Sequence, residues 1–310
     1  MSATAGRLLY ILLLAWMANA GTAFLTLSPL LVGGMVEHLS VSDTQAGLLA
    51  AVHLAGAGIA SYLSISLTAA LGQRRLAILA IGCFALSELL FVSTDSLALM
   101  FAGRLFSGFG GGFFLALAVA NVALMNRKDS VFALLLLCQM VFGFVGAWFW
   151  PQILALVGFP AAMLGLPALA LVVLPFVRYL PAHEPAGTAR ITGRLGLSLV
   201  AVLMLLSLFL HYVANSAEWV YLERIGVAGG LSVEEASEGL AVSMIWGMVG
   251  TLLAMALGRL RSRFPQLAIG ILGIMAGTGL LLIPLDLPMF MFASSLILLT
   301  MVFTIPFYQG

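Results

Sequence analysis

The stretch GRLFSGFGGG, residues 103–112, places an arginine inside an apolar segment. Arg104 follows SLALMFAG and precedes FFLALAVANVAL, so the segment is long enough to cross a bilayer as a helix. A charge at membrane depth is costly, and ionisable residues found there usually serve a function. On a helical wheel Ser107, Gly108 and Gly111 lie within about 60° of Arg104. The arginine therefore shares its face with small residues, and such a face packs closely on another helix or opens onto a cavity.

The composition indicates a polytopic membrane protein. Hydrophobic residues make up 63% of the 310 residues and charged residues 8%, whereas about 25% of the residues of a soluble domain are charged. The mean hydropathy is +1.16, and a water-soluble fold could not bury so much apolar surface. The two cysteines, Cys83 and Cys138, both lie in apolar segments and show no disulfide or metal-site spacing.

Apolar windows of about 20 residues predict ten membrane-spanning helices. The predicted spans cover residues 8–36, 45–70, 76–94, 97–124, 131–157, 160–180, 195–222, 236–258, 266–285 and 288–308. The connections between them are short and polar, apart from a longer one at 181–194. The expected fold class is an all-α membrane bundle.

The distribution of basic residues orients these spans. Of the 13 Lys and Arg residues, all except Arg104 and Arg224 fall in segments on the side of the N-terminus. The positive-inside rule therefore predicts a cytoplasmic N-terminus, and an even number of spans returns the C-terminus to the same side. The expected location is the bacterial inner membrane.

The chain contains an internal repeat. The segment QAGLLAAVHLAGAGIASYLSIS, which starts at Gln45, aligns with SEGLAVSMIWGMVGTLLAMALG, which starts at Ser237, at an offset of 192 residues. The second span thus maps onto the eighth, so the repeat unit is six spans. Residues 1–180 are then a six-helix bundle, residues 181–194 a cytoplasmic inter-domain loop, and residues 195–310 a second bundle with four helices present. Two like-oriented halves are typical of secondary transporters.

These motifs resemble those of the major facilitator superfamily, in order and spacing, over essentially the whole chain. They are SVSDTQAGLLAA (40–51) entering span 2, the basic loop GQRR (72–75), Arg104-x-x-x-Gly108-x-x-x-Gly112 in span 4, and the long connection at 181–194. The resemblance implies two bundles that rock around a central site. It also implies conformational-switch loops, which are Gly72, Arg74 and Arg75 in the first half and Gly258 and Arg259 in the second.

The chain departs from the family pattern in three respects. Aligned on the two loop arginines, Ser66 stands at the usual first glycine and Ala70 at the usual aspartate. Span 5 lacks the glycine–proline signature of the antiporter subset. The family has twelve spans where this chain has ten, which predicts a second half that lacks two helices.

Arg104 and Glu88 form the first candidate site. Spans 3 and 4 form a hairpin that turns near Asp95, which places both side chains about 10–14 Å below the outer edge of the membrane. The matching depth permits an ion pair, which would lower the cost of burying both charges. In the functional interpretation the pair binds a substrate carboxylate or is linked to protons, with Glu88 titrating as Arg104 changes partner. The alternative is a static pair that braces the first bundle.

Span 7 supplies the second candidate site. His211, Asn215 and Glu218 are spaced i, i+4, i+7 and lie within about 60° on one helix face. Histidine can change charge near physiological pH, and a nearby carboxylate can tune its titration. Proton coupling is therefore one hypothesis. The alternative is a polar stripe packed on neighbouring helices, with Glu218 at the outer water interface.

Span 1 carries a matching polar stripe of Asn19, Thr22 and Thr26. At the 192-residue offset Asn19 aligns with His211, so the stripes of spans 1 and 7 occupy equivalent places. The family resemblance implies that spans 1, 4, 7 and 10 line a central cavity, which is where these stripes lie. Outside them, we expect Asn121 and Gln139 to bond between helices.

The function predicted from these features is secondary active transport of a small solute by alternating access. Glu88 and His211 raise the hypothesis of proton coupling, and Arg104 favours a small organic anion. The expected partners are the solute, protons and the lipid bilayer, for a monomer that needs no cofactor, metal or nucleic acid. No nucleotide loop or catalytic constellation argues for an enzyme.

Three alternatives remain open on the sequence. A drug/metabolite-type transporter also has ten spans, but it would show a five-plus-five repeat. A membrane-embedded enzyme would need acid, base or metal ligands clustered at one membrane face. A receptor that does not transport is the third alternative.

Overall fold

The computed structural model describes residues 3–125, 128–182, 198–257 and 264–309, and these residues form nine α-helices and one 3₁₀-helix. The α-helices are α1 (Ala3–His38), α2 (Asp43–Leu71), α3 (Gln73–Val92), α4 (Leu97–Ala123), α5 (Lys128–Leu171), α6 (Leu199–Ala228), α7 (Val233–Leu257), α8 (Phe264–Leu280) and α9 (Leu287–Gln309). The 3₁₀-helix, Leu174–Tyr179, follows α5. The predicted all-α fold is therefore confirmed.

Helix α5 consists of two arms that meet at Gly158. This residue has φ +74° and ψ 166°, which is not helical, and a glycine adopts a positive φ at little cost. The break separates a first arm, 128–157, from a second arm, 159–171. The rings of Trp150 and Phe159 meet edge to face across the break at 6.5 Å.

The second arm runs back along α1. Phe159, at its start, stacks on His38 at the outer end of α1, with ring centroids 5.5 Å apart. Near its end, the carbonyl of Leu169 accepts a hydrogen bond of 2.8 Å from Trp16, well inside α1. The two arms therefore supply the fifth and sixth of the ten predicted spans.

Within the part of the chain that the structure describes, seven helices are long and apolar enough to cross a membrane. They are Gly6–His38, Asp43–Leu71, Gln73–Val92, Leu97–Ala123, Ser130–Tyr179, Val233–Leu257 and Leu287–Ile305. The helix at Ser130–Tyr179 is 50 residues long, so it contains enough residues for the two passes that Gly158 separates. The chain is an integral membrane protein.

Equivalent helices in the two halves begin with the same N-terminal hydrogen bonds and pack on equivalent partners. Ser42 and Gln45 form a capping box at the start of α2, and Ser232 and Glu235 form the same pair of hydrogen bonds at the start of α7. Helix α2 packs mainly on α4, and α7 packs mainly on α9. These equivalent helices and contacts agree with the predicted repeat, of which the described part of the second half contains four helices.

Helices α5 and α7 meet through a reciprocal contact between the halves. A Cβ atom added at Gly143 would lie 2.8 Å from the sulfur of Met244, and one added at Gly247 would lie 2.8 Å from the sulfur of Met140. Each methionine thus packs on the glycine of the other helix. The sequences MVFG (140–143) and MIWG (244–247) supply the same residue types in the same order.

Candidate functional site

The candidate ion pair between Arg104 of α4 and Glu88 of α3 is present. A guanidinium nitrogen of Arg104 contacts Oε2 of Glu88, and both side chains are 0% exposed. The hydroxyl of Ser107, one turn along α4, donates to Oε1 of Glu88 at 2.6 Å. Both carboxylate oxygens therefore have a partner inside the protein, as a buried charge requires.

Aromatic rings enclose the guanidinium of Arg104. Its Cζ lies 3.8 Å from the ring centroid of Phe91 and 5.1 Å from that of Phe24, which places a cation over aromatic faces. His53 of α2 stacks on Phe24 with centroids 4.0 Å apart, and His53 is itself buried. Four helices thus surround the pair, so Arg104 lies inside the first bundle and presents no charge at an open surface.

One residue of the polar stripe of α1, Thr26, bonds to α5. Thr22 and Thr26 donate to carbonyls one turn back, at 2.9 and 3.0 Å. The amide of Gln139, in the first arm of α5, donates to the hydroxyl of Thr26 at 2.9 Å, which confirms Gln139 as an interhelical hydrogen-bonding residue. Asn19 donates from Nδ2 to the carbonyl of Ala15 at 2.8 Å.

Asn19 and Asn215 share one feature of their side-chain hydrogen bonding. Like Asn19, Asn215 of α6 donates from Nδ2 to a carbonyl one turn back, that of His211, at 2.7 Å. The carbonyl oxygen of each side chain is buried, and within the described residues neither accepts a hydrogen bond. Because each amide nitrogen is already bonded to a carbonyl, the atom left without a partner is an acceptor in both cases.

Neighbouring residues of α6 bond to two different helices, α8 and α1. Glu218 accepts a 2.6 Å hydrogen bond from Thr278 of α8, so its carboxylate is directed into the second half. Trp219, the next residue, donates to the carbonyl of Leu25 in α1 at 2.9 Å. Asn215 is 5% exposed and His211 is partly exposed. The sequence pattern placed His211, Asn215 and Glu218 on one face, but Glu218 is bonded to α8.

Charged residues join the C-terminal end of α1, the N-terminal end of α2 and the C-terminal end of α6. Arg224 Nε lies 2.9 Å from a carboxylate oxygen of Asp43, and its Nη1 lies 3.4 Å from one of Glu37. The hydroxyl of Tyr221 donates to the carbonyl of Asp43 at 3.1 Å. The sequence set Arg224 apart from most other basic residues, but its partners Asp43 and Glu37 were not predicted. The available signal was that Arg224 is the one basic residue among many acids on its predicted side of the membrane.

The first predicted switch loop is anchored to the segment that follows the 3₁₀-helix. Gly72 joins α2 to α3 with φ +79°, and Arg74 Nε donates to the carbonyl of Leu180 at 2.8 Å. Asn121 donates to the side chain of Gln73 at 2.8 Å, which confirms Asn121 as an interhelical hydrogen-bonding residue. Gly258 and Arg259 of the second loop, together with most of the 181–194 connection, lie outside the described residues.

A separate groove of about 650 Å³ lies between α1 and the two arms of α5. Its lining is almost entirely apolar and includes Leu27, Phe149 and Leu166. The groove includes neither polar stripe nor the Arg104–Glu88 pair, so it is not the candidate site.

Comparison with known proteins identifies the family and the fold. The sequence profile of the Major Facilitator Superfamily matches residues 10–309. A D-xylose–proton symporter superposes with a TM-score of 0.72 at 16% identity, over 95% of this chain and 81% of that one. A partially occluded, inward-open form of the xylose transporter XylE from E. coli gives 0.73 at 14% identity, over 97% and 87%.

A third structure, of the nucleoside transporter NupG, gives a TM-score of 0.69 at 16% identity, over 95% of this chain and 80% of that one. A search of curated proteins found no match to the sequence. At these identities the structural likeness establishes the fold, and the sequence profile establishes the family.

Proposed function

The chain belongs to the major facilitator superfamily of transporters, and from that premise we propose that it carries a small, uncharged, hydrogen-bonding solute across the membrane by alternating access. Membership removes the drug/metabolite-type alternative and the enzyme alternative. The bundles predicted at 1–180 and 195–310 would rock against each other around a site between α1 and α6. We further propose a monomer in the bacterial inner membrane with both ends cytoplasmic.

The observation that carries the solute class is the pair of buried acceptors on α1 and α6. The carbonyl oxygens of Asn19 and Asn215 receive no donor from the described residues, and a buried acceptor left without a donor costs about 1–3 kcal/mol. A hydroxyl or amine of a bound solute would supply the missing donors. Two of the similar structures are those of a D-xylose–proton symporter and a nucleoside transporter, and xylose and nucleosides are solutes of this kind.

The enclosure of Arg104 weighs against the organic anion that the sequence favoured. Its guanidinium is fully buried and covered by Phe91, and one of its nitrogens is paired with Glu88, whereas Nε and Nη1 have no acceptor among the described residues. An anionic solute that reached these two nitrogens would have to displace the Phe91 ring and lose its hydration in a site with no exposure to water. We propose instead that the Glu88–Arg104 pair takes part in proton coupling, while His211 and Glu218 stay predictions for a proton route.

Uptake into proteoliposomes tests the solute class. The panel comprises labelled D-xylose, uridine, glycerol and succinate, each with and without an inside-alkaline pH gradient. We expect a neutral member to be taken up, with Asn19→Ala and Asn215→Ala each raising KM about three- to tenfold through one lost hydrogen bond. Ser66→Ala is the matched control, because its exposed hydroxyl bonds only to its own helix. Uptake confined to succinate would contradict the proposal.

A further inference from the structure

Glu223, at the outer end of α6, is a buried acid that no part of the proposed transport reaction uses. It is 1% exposed, and neither of its carboxyl oxygens accepts a hydrogen bond from a described residue. The carboxyl lies directly against Gly33 of α1, where any Cβ atom would overlap it. The acid is thus held between one helix from each half of the molecule.

The charged groups around Glu223 come from three helices. Within the described residues, those that act on it are Arg224 beside it in α6, Glu37 at the end of α1 and Asp43 at the start of α2. Arg224 is already paired with both Asp43 and Glu37. It therefore offers Glu223 little compensation, while the two carboxylates oppose a third negative charge beside them.

Glu223 lies just outside the predicted seventh span, 195–222, at the level where α1 ends and α2 begins. Burial raises the pKa of its carboxyl to about 7; Arg224 opposes the shift, and Glu37 and Asp43 add to it. An ionised carboxylate buried without a hydrogen bond would be far more costly than the neutral acid. Geometry and charge therefore agree on a protonated side chain in the observed arrangement.

We propose that Glu223 is a proton-binding latch: it takes up a proton when the outer ends of α1, α2 and α6 close, and releases it to the outer solution when they separate. Separation removes Gly33 from the carboxyl and exposes it to water, where the ionised form is stable. The proton is exchanged only with the outer side. This site is distinct from the Glu88–Arg104 pair and requires no solute.

The direction of the pH effect follows from the raised pKa. The closed arrangement gains stability from the bound proton at low pH and loses it as the pH rises through about 7. With one proton involved and an ordinary carboxyl pKa in the open form, the ratio of closed to open molecules falls about tenfold between pH 6 and pH 8.

Spin-label distances across the outer face test this inference without any solute. Nitroxides on Thr44→Cys and Ala228→Cys would report the separation of the α1–α2 and α6–α7 connections. The full chain, with Cys83→Ala and Cys138→Ala, is placed in nanodiscs so that both faces share one pH. We expect a short-distance and a long-distance population. The ratio of the short to the long population should fall about tenfold between pH 6 and pH 8.

Two substitutions separate the latch from a general pH response. Glu223→Gln, a neutral side chain of the same shape as the protonated acid, should keep the short distance at both pH values. Glu234→Gln removes an exposed acid at the outer start of α7 and should leave the conversion intact. A wild-type distance that does not change from pH 6 to pH 8, or a Glu223→Gln protein that converts as the wild type does, would overturn the inference.

Discussion

At the scale of the residue, the pairing of Glu88 with Arg104 offsets part of the free-energy cost of burying each charge. Glu88 accepts from both Arg104 and Ser107, and Phe91 covers the guanidinium. A buried pair of this kind adds little net stability, because desolvation offsets most of the attraction. This small net contribution is the reason for proposing a role in which one member of the pair changes its protonation state.

The substitution Glu88→Gln should separate coupling from transport. Glutamine can still accept from Ser107 but cannot release a proton, so uptake driven by a pH gradient should fall to simple equilibration while solute exchange continues. For one proton per solute the wild type should accumulate solute about tenfold per pH unit. Labelled-solute accumulation and counterflow in the same proteoliposomes measure both quantities.

Ser107→Ala is the control for that experiment. It removes a hydrogen bond from the same carboxylate but leaves the charge, so accumulation should persist. If Glu88→Gln accumulates solute to the wild-type ratio, the pair is a static brace and the proton is bound elsewhere.

At the scale of the element, glycines make two kinds of helix contact. Within the first half, a Cβ atom at Gly112 of α4 would lie 2.7 Å from the Cα of Ala57 in α2, so backbone meets backbone. Between the halves, Gly143 meets the tip of Met244, an unbranched side chain that can change rotamer. The contact inside the half is rigid, and the contact between the halves can yield.

Alanine substitutions should distinguish these contacts. Gly112→Ala should destabilise the protein by about 1–3 kcal/mol, because the backbone of α2 cannot move aside. Gly143→Ala should destabilise the protein less than Gly112→Ala does, because Met244 can repack and the remaining close contact is the Thr26 methyl group at 2.9 Å rather than backbone. Gly58→Ala, where a Cβ atom meets nothing within 4 Å, should be neutral or stabilising. The thermal unfolding midpoint in detergent measures all three, and equal effects of Gly112→Ala and Gly143→Ala would refute the distinction.

The elements themselves could largely be predicted from the sequence. Apolar length placed the helices within a few residues, and the hairpin of spans 3 and 4 placed Glu88 level with Arg104, because helix rise alone fixes depth. The bond of Glu218 to Thr278 could not be predicted in this way. A helical wheel gives the face of a side chain, but the helix that covers that face depends on tertiary packing.

At the scale of the whole molecule, the outer face joins segments that are far apart in sequence. Arg224 and Asp43 are separated by 181 positions, and their pairing depends on how α6 lies beside α1 and α2. No local pattern encodes that approach, so sequence analysis could name the charges but not their partners. The same reason explains why burial of Glu223 against Gly33 was not predicted.

Tethering the outer ends should stop transport if the halves must separate there. Cysteines at Asp43 and Arg224, whose side chains lie 2.9 Å apart, can be joined by a short thiol cross-linker after Cys83 and Cys138 are replaced. Uptake should fall to background on cross-linking and return on reduction. A cross-link between Tyr10→Cys and Asn121→Cys, which lies within the first half, should leave uptake unchanged. Undiminished uptake by the tethered outer pair would exclude opening at this face.

The reciprocal methionine–glycine contact between α5 and α7 also bears on the kind of movement that the two halves can make. Both methionines are buried, with Met140 6% and Met244 2% exposed. Because methionine is unbranched and has three rotatable bonds, each side chain can repack on the facing glycine when α5 and α7 move. We therefore expect this contact to allow small sliding movements of the two helices, of the shear type.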